Sequence, residues 1–298
     1  MKKSKQQPNS NKKEAILLTV VASSLWGTSF PAIKIGLQFM DVYTFALLRF
    51  SLVSIIMLVW LIFTRNFNFN FKNKRLIILL SLINGLAYLL QFVGMTNTSA
   101  SRSSLLVNLS VIWVTLSSAV LLREKLNRRK VVAIILSIIG IFLVTTNLDL
   151  TILTQGKIFG DLIVIGAGIV WAFFIIYNKQ LVTGKEEDNL VESTTWISLL
   201  TVIPILMVVP FSGQKSLSLT FEAWIAIVYT AVMCWIVPYL LWTKALKTIS
   251  AIASAIILLN EILVATIISI VFLKEVITIT FIAGSIFIII AIQLVSKE

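Results

Sequence analysis

The stretch Ser23–Gly36, "SSLWGTSFPAIKIG", closes an otherwise apolar run that begins at Ala15. A plain hydrophobic anchor has no need of a Trp-Gly pair, a proline four residues after that glycine, or a lysine. Pro31 lacks an N–H, and its ring clashes with the carbonyl four residues back, which belongs to Gly27. The helix is therefore expected to break there and free a carbonyl. In a membrane that carbonyl needs a partner or a wet cavity, and Thr28 and Ser29 are near enough to help. Gly27 permits close approach of another backbone or a substrate, and Trp26 offers a flat face with one N–H donor. Two readings stand open: Trp26 faces a substrate pathway, or it packs a helix interface.

Working outward, the 298-residue chain is 58% hydrophobic and 13% charged. That charge content is well below the roughly 25% of a soluble domain, so the chain reads as an all-α integral membrane protein. A helix needs about 20 residues to cross the hydrocarbon. Ten segments qualify: 15–36, 42–64, 76–96, 102–122, 130–147, 160–180, 194–211, 222–243, 250–273 and 277–295. Residues 1–14 read as a disordered cytoplasmic tail, without the short apolar core of a cleaved signal. Residues 148–159 read as a linker.

The net charge of +12 belongs to orientation, not to nucleic acid. With the N-terminus inside, nineteen Lys and Arg fall on the inner side and five on the outer, with Arg49 within segment 2. This bias puts both termini in the cytoplasm. The chain has no histidine and one cysteine, Cys234. Disulfides, thiol pairs and histidine-based metal or acid–base sites are thereby excluded. No Walker-type phosphate loop is present. No cofactor and no metal site are expected, and the partners expected are the lipid bilayer and a small-molecule substrate.

The two halves align with each other. At a shift of 151, "LLREKLN" (Leu121–Asn127) lies over "FLKEVIT" (Phe272–Thr278), Tyr88 over Tyr239, and Ser99-Ala100 over Ser250-Ala251. At a shift of 145, Trp26 matches Trp171 and Lys34 matches Lys179. Each half, 15–147 and 160–295, holds five segments. Five is odd, so the second copy enters from the opposite face. Such an inverted-topology repeat is common among secondary transporters, with substrate held between the halves.

Several stretches resemble the EamA-type transporters of the drug/metabolite transporter superfamily: "LWGTSFPAIKIGL" with "ALLRFSL", then "GDLIVIGAGIVWAFFIIYNKQL", "YLLWTKALKTISAIAS" and "LLNEILVATIISIVFLKEVIT". The resemblance spans about residues 15–295. It implies ten helices with both termini inside, a central cavity lined mainly by segments 1, 3, 4, 6, 8 and 9, and export or exchange of small metabolites, often amino acids. The family pattern places proline just after the segment-9 glutamate. This chain has Ile262 there and Val111 at the corresponding place in segment 4, which leaves open the kinks of those two segments and any detailed gating model built on them.

Glu261 is expected near mid-membrane. A central charge costs about 2.5–3.5 kcal/mol on the insertion scale, which the many Ile, Leu, Val and Phe of segment 9 offset at about 0.3–0.6 kcal/mol each. Its side chain should face protein or water, either as a substrate-binding or proton-coupling group or as a structural carboxylate. Its repeat counterpart is Ser110. The candidate substrate-binding residues are Trp26, Tyr88, Gln91, Asn108, Trp171, Tyr239, Trp242, Asn260 and Glu261; for each, a packing hydrogen bond is the competing role. The candidate gating residues are Gly27, Pro31, Lys34, Lys179 and Pro238, the last removing the N–H partner of the Cys234 carbonyl. For Lys34 and Lys179 the alternative is snorkelling at helix ends. Nineteen positions after Ala15, at roughly 1.5 Å each, put Lys34 about 28 Å along its helix.

Arg49 is expected to play a structural role, pairing with Asp41 or snorkelling outward. Glu124 and Glu275 are expected to favour the helices that follow them, with Asn127 and Thr278 as caps. The acidic run "KEEDN" (185–189) is expected to be a solvated loop. Segments 5 and 10, nearly all aliphatic, are expected to meet lipid or a second copy, as monomer or homodimer.

The expected function is a secondary transporter of small metabolites, amino acids or related compounds, working by alternating access in the cell membrane, with export the expected direction and protons a candidate coupling ion. The alternatives are a membrane sensor or structural protein and a membrane enzyme acting on lipid-linked substrates. The second alternative calls for a catalytic cluster at one face, which the scattered acids do not supply.

Overall fold

In the computed structural model, the described residues are 9–64, 73–97, 100–146, 148–149, 158–184, 189–211, 218–273 and 278–296. Among them every regular element is helical: α1 (Asn9–Gly27), α2 (Ser29–Phe39), α3 (Val42–Phe63), α4 (Lys74–Asn97), α5 (Ala100–Asn108), α6 (Ser110–Ser117), α7 (Arg128–Thr146), α8 (Ile158–Thr183), α9 (Leu190–Val208), α10 (Phe221–Ala231), α11 (Val237–Leu246), α12 (Ala251–Leu258), α13 (Asn260–Leu273) and α14 (Ile279–Ser296). π-Helical turns follow α6 (Ser118–Leu122) and join α10 to α11 (Val232–Ile236). Among the described residues seven stretches are long and apolar enough to cross a membrane, and Leu106–Leu122 and Ile282–Ser296 are shorter apolar helices. The protein is a multi-pass membrane protein.

Burial follows the logic of a lipid solvent. Large apolar side chains such as Phe63, Leu82, Val120, Ile135 and Ile286 are exposed on the outside. Asn84, Gln91, Asn108, Asn178 and many Ser and Thr are buried between helices. Their hydroxyls largely return to the carbonyl four residues back, as Ser81 does to Ile77 at 2.7 Å and Ser198 to Thr194 at 2.8 Å. This satisfies them within their own helix where water is absent.

The opening stretch breaks as its proline requires. α1 ends at Gly27, Thr28 lies between, and Pro31 sits in the first turn of α2, where a missing N–H costs nothing. Thr28 gives its hydroxyl to the Leu25 carbonyl at 2.7 Å rather than to that of Gly27.

Segments 4 and 9 do break, although Val111 and Ile262 stand where the family pattern has proline. The interruptions fall at Leu109 and Leu259. There the ladder shortens to one-turn bonds from Ile112 to the Leu109 carbonyl and from Ile262 to the Leu259 carbonyl, both 3.0 Å. Polar side chains flank each break. Asn108 takes the Ser104 carbonyl at 2.7 Å, a competitor inside the ladder, and Asn260 is held by α1.

Two further expectations change, one for the tail and one for Glu124. α1 starts at Asn9, taking residues 9–14 of the expected tail into helix, and Glu14 pairs with Lys244 at 2.8 Å. Residues 1–8, most of the 148–159 linker, Glu275 and most of the acidic run lie outside the described residues. Segments 5 and 10 pack on each other: a Cβ on Gly140 of α7 would lie 2.8 Å from the Gly284 carbonyl of α14. Their outer faces, with Ile135 and Ile286, remain exposed. Glu124 does not serve the helix that follows it. It accepts from Ala251 N–H at 2.7 Å and Ile252 N–H at 3.3 Å, capping α12 across the fold. Asn127 does cap α7, accepting from Lys130 N–H at 2.9 Å.

Candidate functional site

A cavity of about 90 Å³ opens among α1, α2, α4, α5, α6, α8, α11, α12 and α13. At roughly 10–15 Å³ for one water, it holds several. These elements occupy segments 1, 3, 4, 6, 8 and 9, the set that the resemblance implies. Seven of the nine candidate binding residues line it: Trp26, Tyr88, Gln91, Asn108, Trp171, Trp242 and Glu261.

The walls are aromatic and mutually supported. Trp26 meets Trp242 edge-on, with centroids 5.7 Å apart, and Trp242 gives its N–H to Ser254 Oγ at 2.7 Å. Tyr88 stands perpendicular to Trp171 at 4.8 Å. Trp171 gives its N–H to Gln91 Oε1 at 2.8 Å, so that ring and amide hold each other in place. Edge-to-face pairs of this kind each add about 0.5–1.5 kcal/mol beyond area burial.

At the broken helices lies the charge. Asn108, last residue of α5, donates to Glu261 Oε1 at 2.5 Å. Asn108 therefore uses its two amide hydrogens on Ser104 and Glu261. Glu261 is in the first turn of α13, where the helix dipole favours a negative charge. Ser110, its expected counterpart, lines the same cavity.

Two candidates lie elsewhere. Asn260 turns to α1, giving its amide to Ser24 Oγ at 2.9 Å and Ser23 Oγ at 3.2 Å, and so joins helices. Tyr239 sits behind the wall, stacked on Trp235 at 4.7 Å and donating to Asn178 Oδ1 at 2.6 Å. Ser29, Phe30, Phe174 and Leu258 also line the cavity without having been singled out. Only Ser29 carried a signal, as neighbour of the proline break.

The gating candidates sit at helix ends and breaks. Gly27 has no positive φ; its use is contact, since a Cβ there would lie 2.6 Å from the Glu261 carbonyl. Lys34 on α2 donates to the Met95 carbonyl near the end of α4. Lys179 on α8 donates to the carbonyls of Leu246 at 2.7 Å and Ile249 at 2.9 Å, at the end of α11. Pro238 starts α11 just after the π-helical turn. Arg49 neither pairs with Asp41 nor points outward. It is 1% exposed, under the Tyr88 ring, while Asp41 caps α3 through Tyr43 N–H at 2.9 Å and Thr44 N–H at 3.1 Å. No group of three or more metal-ligating side chains exists among the described residues.

Several proteins with similar sequences are named as transporters. The EamA-like transporter family matches residues 13–146 and again 158–297. An uncharacterized transporter of Archaeoglobus fulgidus is 26% identical over 80% of this chain and 82% of its own length. A protein of Salmonella typhimurium named as a probable amino-acid metabolite efflux pump is 23% identical over 76% of this chain and 75% of its own. One solved crystal structure shares the fold at a TM-score of 0.77 and 13% identity, over 94% of this chain and 97% of that one. With nearly the whole chain matched in two stretches, this protein belongs to the EamA-like transporter family, whose members are transporters and not enzymes.

Proposed function

We propose that the protein is a secondary transporter that exports a small metabolite, an amino acid or a related compound, by alternating access around the central cavity. The observation that carries this reading is the cavity itself: an aromatic pocket between broken helices, with a single carboxylate, Glu261, among its lining residues. Broken helices around a central site are the usual construction of such carriers. The probable efflux pump of Salmonella typhimurium, though distant, favours amino-acid metabolites.

Ten crossings are arranged as two inverted halves, 15–147 and 160–295. The double family match supports the division. So do two matching ties: Lys34 to Met95 and Lys179 to Leu246. Their lysines are 145 positions apart and their acceptors 151, the shifts of the internal repeat. Both termini are cytoplasmic in the cell membrane, as the basic residues favour. Lys34 and Lys179 act as gate ties at opposite ends, Gly27 and Pro31 form the hinge of segment 1, and Pro238 that of segment 8. Glu261 carries the coupling proton. The lipid bilayer and the substrate are the partners, nucleic acid is not, and the carrier works as a monomer or homodimer without a cofactor.

The test is uptake of a labelled amino-acid mixture into proteoliposomes at two pH gradients. Competable, gradient-sensitive uptake is the expected result. Absence of flux under both gradients removes the amino-acid reading, and flux indifferent to the gradient removes the proton.

A further inference from the structure

Proline at position 238 denies the Cys234 carbonyl its helical partner, and the chain answers from another helix. Arg49 Nη2 on α3 donates to that carbonyl at 3.2 Å. The bond is fully buried, with Arg49 at 1% exposure and Cys234 at 0%. The same guanidinium lies over the Tyr88 ring at 4.8 Å, with the rings of Phe50 and Phe92 at 5.5 and 5.7 Å. Its Nε and Nη1 have no acceptor, and Arg49 itself does not line the cavity. A buried cation is costly, and here it serves one carbonyl that proline deprives of its usual donor and three aromatic rings, Tyr88 the nearest.

The other break is attached to the same point. Thr28, between α1 and α2, has its hydroxyl 3.6 Å from Cys234 Sγ and accepts the Tyr229 hydroxyl at 2.7 Å. Tyr229 is the third-last residue of α10, just before the π-helical turn. The hinge of segment 8 thus touches the hinge of segment 1 on one side and, through Arg49, a cavity-wall ring on the other.

We infer that Arg49 is a positioning residue for transport: its guanidinium holds the helix break before Pro238 and ties that break to Tyr88 on the cavity wall. A shift of Tyr88 on loading the cavity moves the guanidinium, and with it the carbonyl on which the hinge closes. Arg49 acts through Tyr88 and Cys234 and does not touch substrate. This rests on the reading of the cavity as the transport site.

Cys234, the chain's one cysteine, reports on the hinge without any transport assay. In the purified, reconstituted full chain, maleimide labelling of Cys234 is compared for wild type, Arg49→Gln, Arg49→Lys, Pro238→Ala and the double variant Arg49→Gln with Pro238→Ala. The labelled amino-acid mixture gives maximal rate and half-saturation in parallel. Arg49→Gln labels roughly tenfold faster, the size of one lost charge-assisted hydrogen bond. Its maximal rate falls about as far, with half-saturation within about twofold of wild type, since the lost bond is not to substrate. Arg49→Lys, lacking the planar fork, resembles Arg49→Gln. Alanine at 238 returns an N–H to the Cys234 carbonyl, so the double variant labels slowly again.

Wild-type labelling in Arg49→Gln overturns the inference. So does a raised half-saturation at unchanged maximal rate, which makes Arg49 a direct ligand. A double variant that still labels fast also overturns it. Should the Arg49 variants not fold, Pro238→Ala alone decides: slower labelling and a lower maximal rate support the tie, and wild-type values for both overturn it. If wild type moves no amino acid, the amino-acid reading has failed, and the labelling comparison still judges the hinge.

Discussion

Asn108 and Glu261, 153 positions apart in sequence, meet at 2.5 Å where two helices break. Neither break uses proline. Each brings a polar residue at a helix end to the same cavity, one from either half of the chain. Glu261→Gln keeps an oxygen for the Asn108 amide and removes the charge. The variant is expected to fold and insert normally and to lose the dependence of transport on the pH gradient. The check is initial uptake at several gradients, and an unchanged profile in well-folded protein removes Glu261 as proton carrier.

Trp26 presents one ring to both the cavity and Trp242. Trp26→Ala removes an edge-to-face pair and leaves a void, but Trp242 keeps its bond to Ser254. The expected result is a rise in half-saturating concentration of about tenfold, since an aromatic contact is worth about 1 kcal/mol or more. The fall in thermal midpoint is expected to be only a few degrees. A variant that loses folding and transport together assigns Trp26 to packing.

Glu124 caps α12 from the far side of the fold through two backbone N–H groups. Lys179 closes the other side of the same corner through the carbonyls of Leu246 and Ile249. Both ends of the 247–250 turn are therefore held by side chains from elsewhere. Glu124→Ala is expected to lose about 1–2 kcal/mol of stability, the range for a deleted cap, and Glu124→Gln less, because one oxygen still accepts. Thermal unfolding in detergent measures both. Equal losses would mean that charge, not the hydrogen bond, holds the corner.

Much of this was legible in the chain. Hydropathy located the helical segments, because a helix in lipid must be apolar along its length. Polar and aromatic residues inside those segments pointed to the cavity, which seven of the nine candidates line, while Asn260 and Tyr239 bond between helices instead. What failed was facing. Asn260 and Glu261 are adjacent, with side chains about 100° apart around a helix of 3.6 residues per turn; Glu261 faces the cavity and Asn260 faces Ser23 and Ser24 of α1, a division that residue type alone does not decide. Arg49 was misplaced for a similar reason: its partners, Tyr88 and the Cys234 carbonyl, come from helices whose neighbours only the fold defines. The breaks at Leu109 and Leu259 carry no proline and were invisible to a rule built on proline.

Gly27 and Gly166 separate contact from mere helix flexibility. A Cβ on Gly27 would lie 2.6 Å from the Glu261 carbonyl and 2.9 Å from Val264 Cβ, while one on Gly166 would meet nothing within 4 Å. The neighbours of Gly27 are backbone and a branched side chain, so α13 itself must move. Gly27→Ala is expected to cost about 1–3 kcal/mol, as overpacking does, and to reduce transport, because the shifted element carries Glu261. Gly166→Ala is expected within about 0.5 kcal/mol of wild type, with transport unchanged. Parallel unfolding and uptake measurements on the two variants check this. If both behave alike, the close approach of α1 to α13 does not set the position of Glu261, and the break at Thr28 must be doing so alone.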